Sequence, residues 1–287
     1  MASATSFVVP ARARRVDGTG SFVIPGLWEM HAHTYRSLDL VGALHLANGV
    51  TGIRDMGSRI GEQPVLALRD SIRAGRVPGP RMVVAGGLPP PSPAGAPSSG
   101  EPITEKNVRA AVDSLARMGV DFIKLVSLSA PAFLGAIDAA RANGLPAVGH
   151  LPWRLDIRVA SDAGARSLEH LWGFLTACST REEELRAAIA GWVESSNGQQ
   201  QAWAEGNFAS ELIASRDAAK CAQLHARLAR NRTFIGPTLL VARQLGWPDE
   251  FDRPDDPQLR FLRVCRARAV AGSPIAAAQH CAATNAL

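Results

Sequence analysis

"LPAVGHLPWRLDIRVASDAGARSLEHLWG", residues 145–173, contains two short apolar runs, and each ends in a histidine. "LPAVGHLP" (145–152) and "RSLEHLWG" (166–173) have the length and composition of strands, and "RVASDAGA" (158–165) between them reads as a short helix. Strand, helix and strand in so short a span make a parallel crossover. The repeated placing of histidine at a strand end makes the unit worth following in both directions.

Upstream the unit recurs. Strand-like runs lie at 22–33, 50–57, 80–87 and 120–127, separated by helical segments at 37–49, 64–75, 104–119 and 131–144. Thr104 is the expected N-cap of its helix and Gly119 its stop. Six strands in alternation with helices precede residue 175 and predict a parallel sheet. The choice lies between a (β/α)8 TIM barrel and an open doubly wound sheet, and the lack of a G-x-G-x-x-G after the first strand weakens a dinucleotide-binding sheet. "LPPPSPAGAPSSGEP" (88–102) excludes helix and strand and reads as a βα loop. From about 178 to 231 the chain is nearly all helix former, a helical insertion between strands six and seven. "TFIGPTLLVARQ" (233–244) reads as the seventh strand, and no eighth is visible. The organisation expected is an N-terminal segment at 1–21, the repeated β-α region at 22–245 with its helical insertion, and a divergent tail at 246–287.

Composition fits an ordinary globular chain. Of 287 residues, 46% are hydrophobic and 20% charged, which excludes disorder as the general state. The net charge of +5 is scattered, with clusters at "ARARR" (11–15) and "RFLRVCRAR" (260–268) that lack interleaved aromatics. No nucleic-acid partner is expected. No run approaches the length of a membrane span, and "MASATSFVVPARARR" holds no secretory core, so no membrane contact and a cytoplasmic location are expected. The four cysteines, Cys178, Cys221, Cys265 and Cys281, include no C-x-x-C pair and read as buried or incidental thiols.

The chemistry concentrates at strand ends. In "PGLWEMHAHTYRS" (25–37), His31 and His33 are two apart and so share a face of the first strand. Two imidazoles so placed can hold one divalent cation. Lys124 sits inside the apolar run "FIKLV", where a lysine without a partner is costly. Lys124, His150 and His170 follow one another by 26 and 20 residues, about one βα unit each. In a barrel such positions converge on one rim.

With these motifs quoted, a resemblance becomes specific. "IPGLWEMHAHT", "ANGVTGIRDMGS", "GVDFIKLVS", the stretch 145–173 and "GPTLLV" resemble the amidohydrolase superfamily, in its imidazolonepropionase-like and prolidase-like branches, over residues 16 to 260. The resemblance implies a barrel with one or two divalent metals at its mouth, most commonly Zn2+. It implies that His31 and His33 hold the first metal, that His150 and His170 hold the second, and that carboxylated Lys124 bridges both. The implied activity is hydrolysis of a C–N bond by a metal-activated water, on small-molecule or dipeptide-like substrates. A homo-oligomer is left open.

The chain also departs from the family pattern. The resemblance implies that 1–21 is a remnant of an N-terminal β-sandwich beside a barrel at 22–245. Most of that sandwich is missing, and so is the strand-eight aspartate of a "GTDAG"-like motif, which in the family shuttles the proton. Asp249, Asp252, Asp255 and Asp256 lie in a polar loop and do not take that role. The chain is thus expected to be truncated. Loss of the shuttle alone should cost about 10² to 10⁴ in rate. A metal-binding remnant without turnover and a phosphotriesterase-like hydrolase are the alternatives, and export of full-length relatives stays open.

Other residues carry weaker expectations. Tyr35, Arg54 and Trp153 are the candidates for substrate contact. Arg54 and Asp55 read first as an ion pair that shapes a loop, and Trp153 and Trp172 equally as pocket wall or core. Glu169 is expected to alternate away from His170, toward the helices. His45 and His225 read as histidines without metal, and His280 carries no role.

Overall fold

The computed structural model describes residues 8–34, 38–58, 60–88, 102–195 and 201–250. Among them, seven strands make one all-parallel sheet in chain order: β1 (Leu27–Ala32), β2 (Val50–Asp55), β3 (Arg81–Leu88), β4 (Phe122–Leu125), β5 (Ala147–Gly149), β6 (Ser167–Glu169) and β7 (Phe234–Gly236). A helix follows each of the first six: α1 (Leu38–Ala47), α2 (Glu62–Arg73), α3 (Val108–Met118), α4 (Ala130–Ala142), α5 (Ile157–Ala163) and α6 (Phe174–Ala177). Between α6 and β7 come α7 (Glu182–Ser195), a 3₁₀ segment Gln201–Phe208, α8 (Ala209–Ala214) and α9 (Ala218–Asn231), the helical insertion that the composition announced. α10 (Leu239–Gly246) follows β7.

Local chemistry accounts for these boundaries. α4 begins where the Ser129 hydroxyl accepts from the Ala132 N–H, with Pro131 in the first turn. α5 begins where the Asp156 carboxylate accepts from the Arg158 N–H. Gly119 and Gly164 end α3 and α5 in the left-handed conformation that glycine adopts without a Cβ clash. The expected cap at Thr104 does not form. The first turn there is irregular, and α3 starts four residues later at Val108, behind Asn107. The seventh strand also differs from expectation: only Phe234–Gly236 is extended. Thr238 turns left-handed (φ 47°), and the apolar run from Leu239 becomes α10.

Strand residues alternate between two apolar layers. Ile53, Val84, Ile123, Leu125 and Leu168 pack outward against Val65, Val112, Leu115, Phe133, Ile137 and Ile157 of the helices. Met56, Ala85, Phe122 and Val148 form a second layer on the opposite, inner side. The sheet curls around that inner side, because side chains of β1 and β2 touch the carboxylate of Glu169 on β6. The result is a nearly closed parallel barrel, in which β1 and β7 share no ladder. Cys178 and Cys221 are not separate thiols as expected. They form a disulfide with Cα atoms 4.7 Å apart, tying the end of α6 to α9. The tail beyond residue 250, with Cys265, Cys281 and His280, and most of the loop 88–102 lie outside the described residues.

Candidate metal centre

The carboxyl ends of β1, β4, β5 and β6 bring the sequence candidates together. Phe122 belongs to the inner layer, and Lys124, two residues on, therefore points inward too. Val148 likewise faces inward, and His150 follows at the same parity just past β5. The imidazole rings form a chain. His33 and His31 have centroids 5.2 Å apart, His31 and His170 4.8 Å, and His170 and His150 4.8 Å. The Nε2 atoms of His150 and His170 lie 3.1 Å apart. Gly149 permits this approach of β5 to β4, since a Cβ there would sit 2.2 Å from the Leu125 carbonyl oxygen.

Three of the Nδ1 atoms are already engaged. His31 Nδ1 lies 2.9 Å from Glu169 Oε2, His33 Nδ1 lies 2.7 Å from the Gly57 carbonyl oxygen, and His170 Nδ1 lies 2.7 Å from Thr238 Oγ1. The Lys124 amine is buried with no hydrogen-bond partner among the described residues. Its burial lowers its pKa to about 7, against the pull of Glu169. Desolvation, and then the charge of Lys124 among others, pulls His150 and His170 below the ordinary histidine value, His170 to about 4. Desolvation lowers His33 as well. Burial alone would raise Glu169, but the His31 hydrogen bond and the Arg54 charge hold it near 2. The pocket thus favours neutral His33, His150 and His170, the protonation state that ligates metal. Among the described residues, no three His, Cys, Asp or Glu side chains are gathered as a ready metal site.

No protein-family model and no curated protein matches the chain. Several solved structures are similar to it. A protein from Bifidobacterium longum described as a prolidase is 27% identical over 59% of this chain and 45% of that one, with a TM-score of 0.47. The bottromycin amidohydrolase is 23% identical, covering 72% and 54%, with a TM-score of 0.41. A molinate hydrolase is 16% identical, covering 83% and 65%, with a TM-score of 0.48. The chain spans about half the length of the first two. The fold of this chain, over the described residues, is a nearly closed (β/α) barrel of seven parallel strands.

Two expectations fail inside this barrel. Glu169 faces the interior. Leu168 packs outward, so Ser167 and Glu169 point inward by alternation. His170 lies beyond the strand and reaches the cluster through left-handed backbone, with φ 63° at both His170 and Leu171. Arg54 and Asp55 do not pair, because they sit on opposite faces of β2. Arg54 donates from Nη2 to Glu169 at 2.9 Å and from Nε to the Met30 carbonyl. Asp55 accepts from the Thr34 and Gly57 N–H groups.

The weaker candidates divide. Trp172 is buried against His150, at 4.6 Å between centroids, and Trp153 stacks on Trp172 at 4.8 Å with its indole nitrogen unpartnered. Tyr35 lies outside the described residues. His225 stacks on Phe174. The sequence reading missed Thr238 and Gly236, and the parity set by Leu168 was the one signal that could have placed Glu169.

Proposed function

We propose that the chain is a metal-dependent hydrolase of the amidohydrolase superfamily, acting on a C–N bond of an amide or a dipeptide-like substrate. The observation that carries this reading is the buried Lys124 amine, unpartnered among four imidazoles. An orphaned buried amine costs several kcal/mol by the order of polar transfer energies, roughly 1–3 kcal/mol on mutational scales. The neutral form that burial favours is also a nucleophile toward CO2. A new N–C bond with loss of the amine proton turns it into an anionic carbamate with two oxygen donors. A carbamate on Lys124 would add an oxygen ligand beside the histidines.

The donor set fits one or two divalent ions, with Zn2+ the best match to imidazole and carboxylate-type oxygen. His31, His33, Lys124, His150 and His170 would hold them. When bound, such ions polarise a carbonyl and acidify a water. The chain's own part is to keep His33, His150 and His170 neutral, to hold His31, His33 and His170 through Nδ1, and to wall the site beside His150 with Trp172. Arg54 is committed to Glu169 and Met30, so it shapes the site and does not reach substrate.

The test is direct. Chain purified with zinc and bicarbonate is assayed for metal per chain, then against dipeptides, acyl-amino acids and a phosphotriester. One or two zinc ions per chain, a content reduced by His150→Ala, and turnover of an amide substrate are expected. Zinc without turnover would leave the binding remnant. Turnover of the phosphotriester alone would select the other alternative. A zinc content that His150→Ala leaves unchanged would overturn the metal centre.

A further inference from the structure

We infer that Glu169 is a positioning residue, which acts on the metal centre through His31 and not by touching metal or substrate. The inference rests on the reading of His31 as a ligand and assigns a role to a carboxylate outside the five-residue set.

Three groups fix the Glu169 side chain. The Arg54 guanidinium donates to both oxygens, at 2.9 and 3.2 Å, and the Ser167 hydroxyl donates to Oε1 at 2.6 Å. The third partner is His31 Nδ1, at 2.9 Å from Oε2. Arg54 is itself anchored by its Nε bond to Met30, one residue before His31. The carboxylate is wholly buried and sits against β7. The backbone there is Gly236, where a Cβ would stand 2.1 Å from Glu169 Oε2. The position is therefore a built cradle, with three donors on one side and a residue lacking a side chain on the other.

The chemistry follows from what a carboxylate does to an imidazole. An ionised carboxylate accepts hydrogen bonds only, so the His31 nitrogen facing it carries the proton. A neutral His31 is then the Nδ1–H tautomer, and Nε2 keeps its lone pair. A carboxylate behind a ligating histidine fixes ring orientation and raises basicity, and its loss costs about 10- to 100-fold in metal affinity. Glu169 also links β6 to β1 and β2 across the barrel, so a structural role must be separated from this one.

Two measurements do so on the full chain. In the zinc-free protein, ¹⁵N spectra of the histidine side chains should show His31 protonated at Nδ1, and Glu169→Ala should shift it toward the Nε2–H form. Zinc affinity, read by chelator competition with zinc alone as the probe, should fall about 10- to 100-fold in Glu169→Ala. It should fall in Gly236→Ala as well, which keeps the carboxylate but crowds it. In a His31→Ala background, Glu169→Ala should cost no further affinity, because both changes remove one interaction. A wild-type His31 protonated at Nε2, or an unchanged cost of Glu169→Ala without His31, would overturn the inference while the metal centre stands. A wild-type chain that binds no zinc would overturn both. The wild-type spectrum decides the tautomer even if the Ala variants fold poorly.

Discussion

Lys124 is the residue whose environment differs most from its ordinary one. Its pKa falls from 10.5 to about 7 because burial disfavours the ammonium. The sign of the consequence is fixed by linkage. Between about pH 7 and 10.5 the unfolded chain holds a proton that the folded chain has lost, so stability rises with pH across that window, and the full penalty applies below it. Lys124→Met should therefore stabilise the zinc-free chain at pH 6, by about 1–4 kcal/mol. It should also flatten the rise above pH 7, both read by urea denaturation in chelator. A variant less stable than wild type at pH 6 would show that the amine has a partner. Glu205 tests the same physics with opposite sign. Burial raises its carboxyl pKa, opposed by hydrogen bonds from the Thr176 hydroxyl and the Gly173 N–H. Its contribution is present below the unfolded value and lost as pH rises through the folded one. Glu205→Gln, which keeps an acceptor for both donors, should lose less stability than wild type on raising the pH from 4 to 8.

At the scale of elements, what was legible follows from which forces are local. Strand runs such as "FIKLV", and stops such as Gly119, express propensity and backbone sterics within a few residues, and β4 and α3 end where those signals lie. The order of β and α units then left few ways to connect the sheet, and His31, Lys124, His150 and His170 fell on one rim. The misreadings were tertiary. Nothing local in "SLEHLW" requires His170 and Leu171 to turn left-handed, so the strand was read as running through His170 and its parity came out inverted, taking Glu169 with it. "GPTLLVARQ" has a strand's composition, yet with Thr238 bonded to His170 the chain turns and continues as α10. Cys178 and Cys221, 43 residues apart, have no spacing that signals a pair; the packing of α6 on α9 makes it. A disulfide closing such a loop contributes about 2–4 kcal/mol. Cys221→Ser should lose about that much in oxidising buffer, measured by urea titration. Dithiothreitol should bring wild type to the variant's level and leave the variant unmoved.

For the whole molecule the question is what becomes of the two sheet edges left open among the described residues. Among these, β1 and β7 pair with one neighbour each, and the surface around them is apolar. Leu27, Trp28 and Met30 of β1 are exposed, as are Phe22, Val23 and Ile24 before it. Phe234 of β7 and Leu239, Leu240 and Val241 of α10 are exposed on the other side. Unpaired backbone groups beside contiguous apolar side chains favour addition of further chain, and net charge alone does not block it. The chain should therefore self-associate, with a sedimentation coefficient that rises with protein concentration in the micromolar range. Trp28→Lys and Leu240→Lys together place charge on both edges without entering either apolar layer of the barrel. The double variant should sediment as a single species over the same range and keep its zinc content, because neither residue touches the histidine cluster. A wild-type coefficient independent of concentration would mean that these edges are covered within one chain. Association undiminished in the double variant would locate the contact elsewhere.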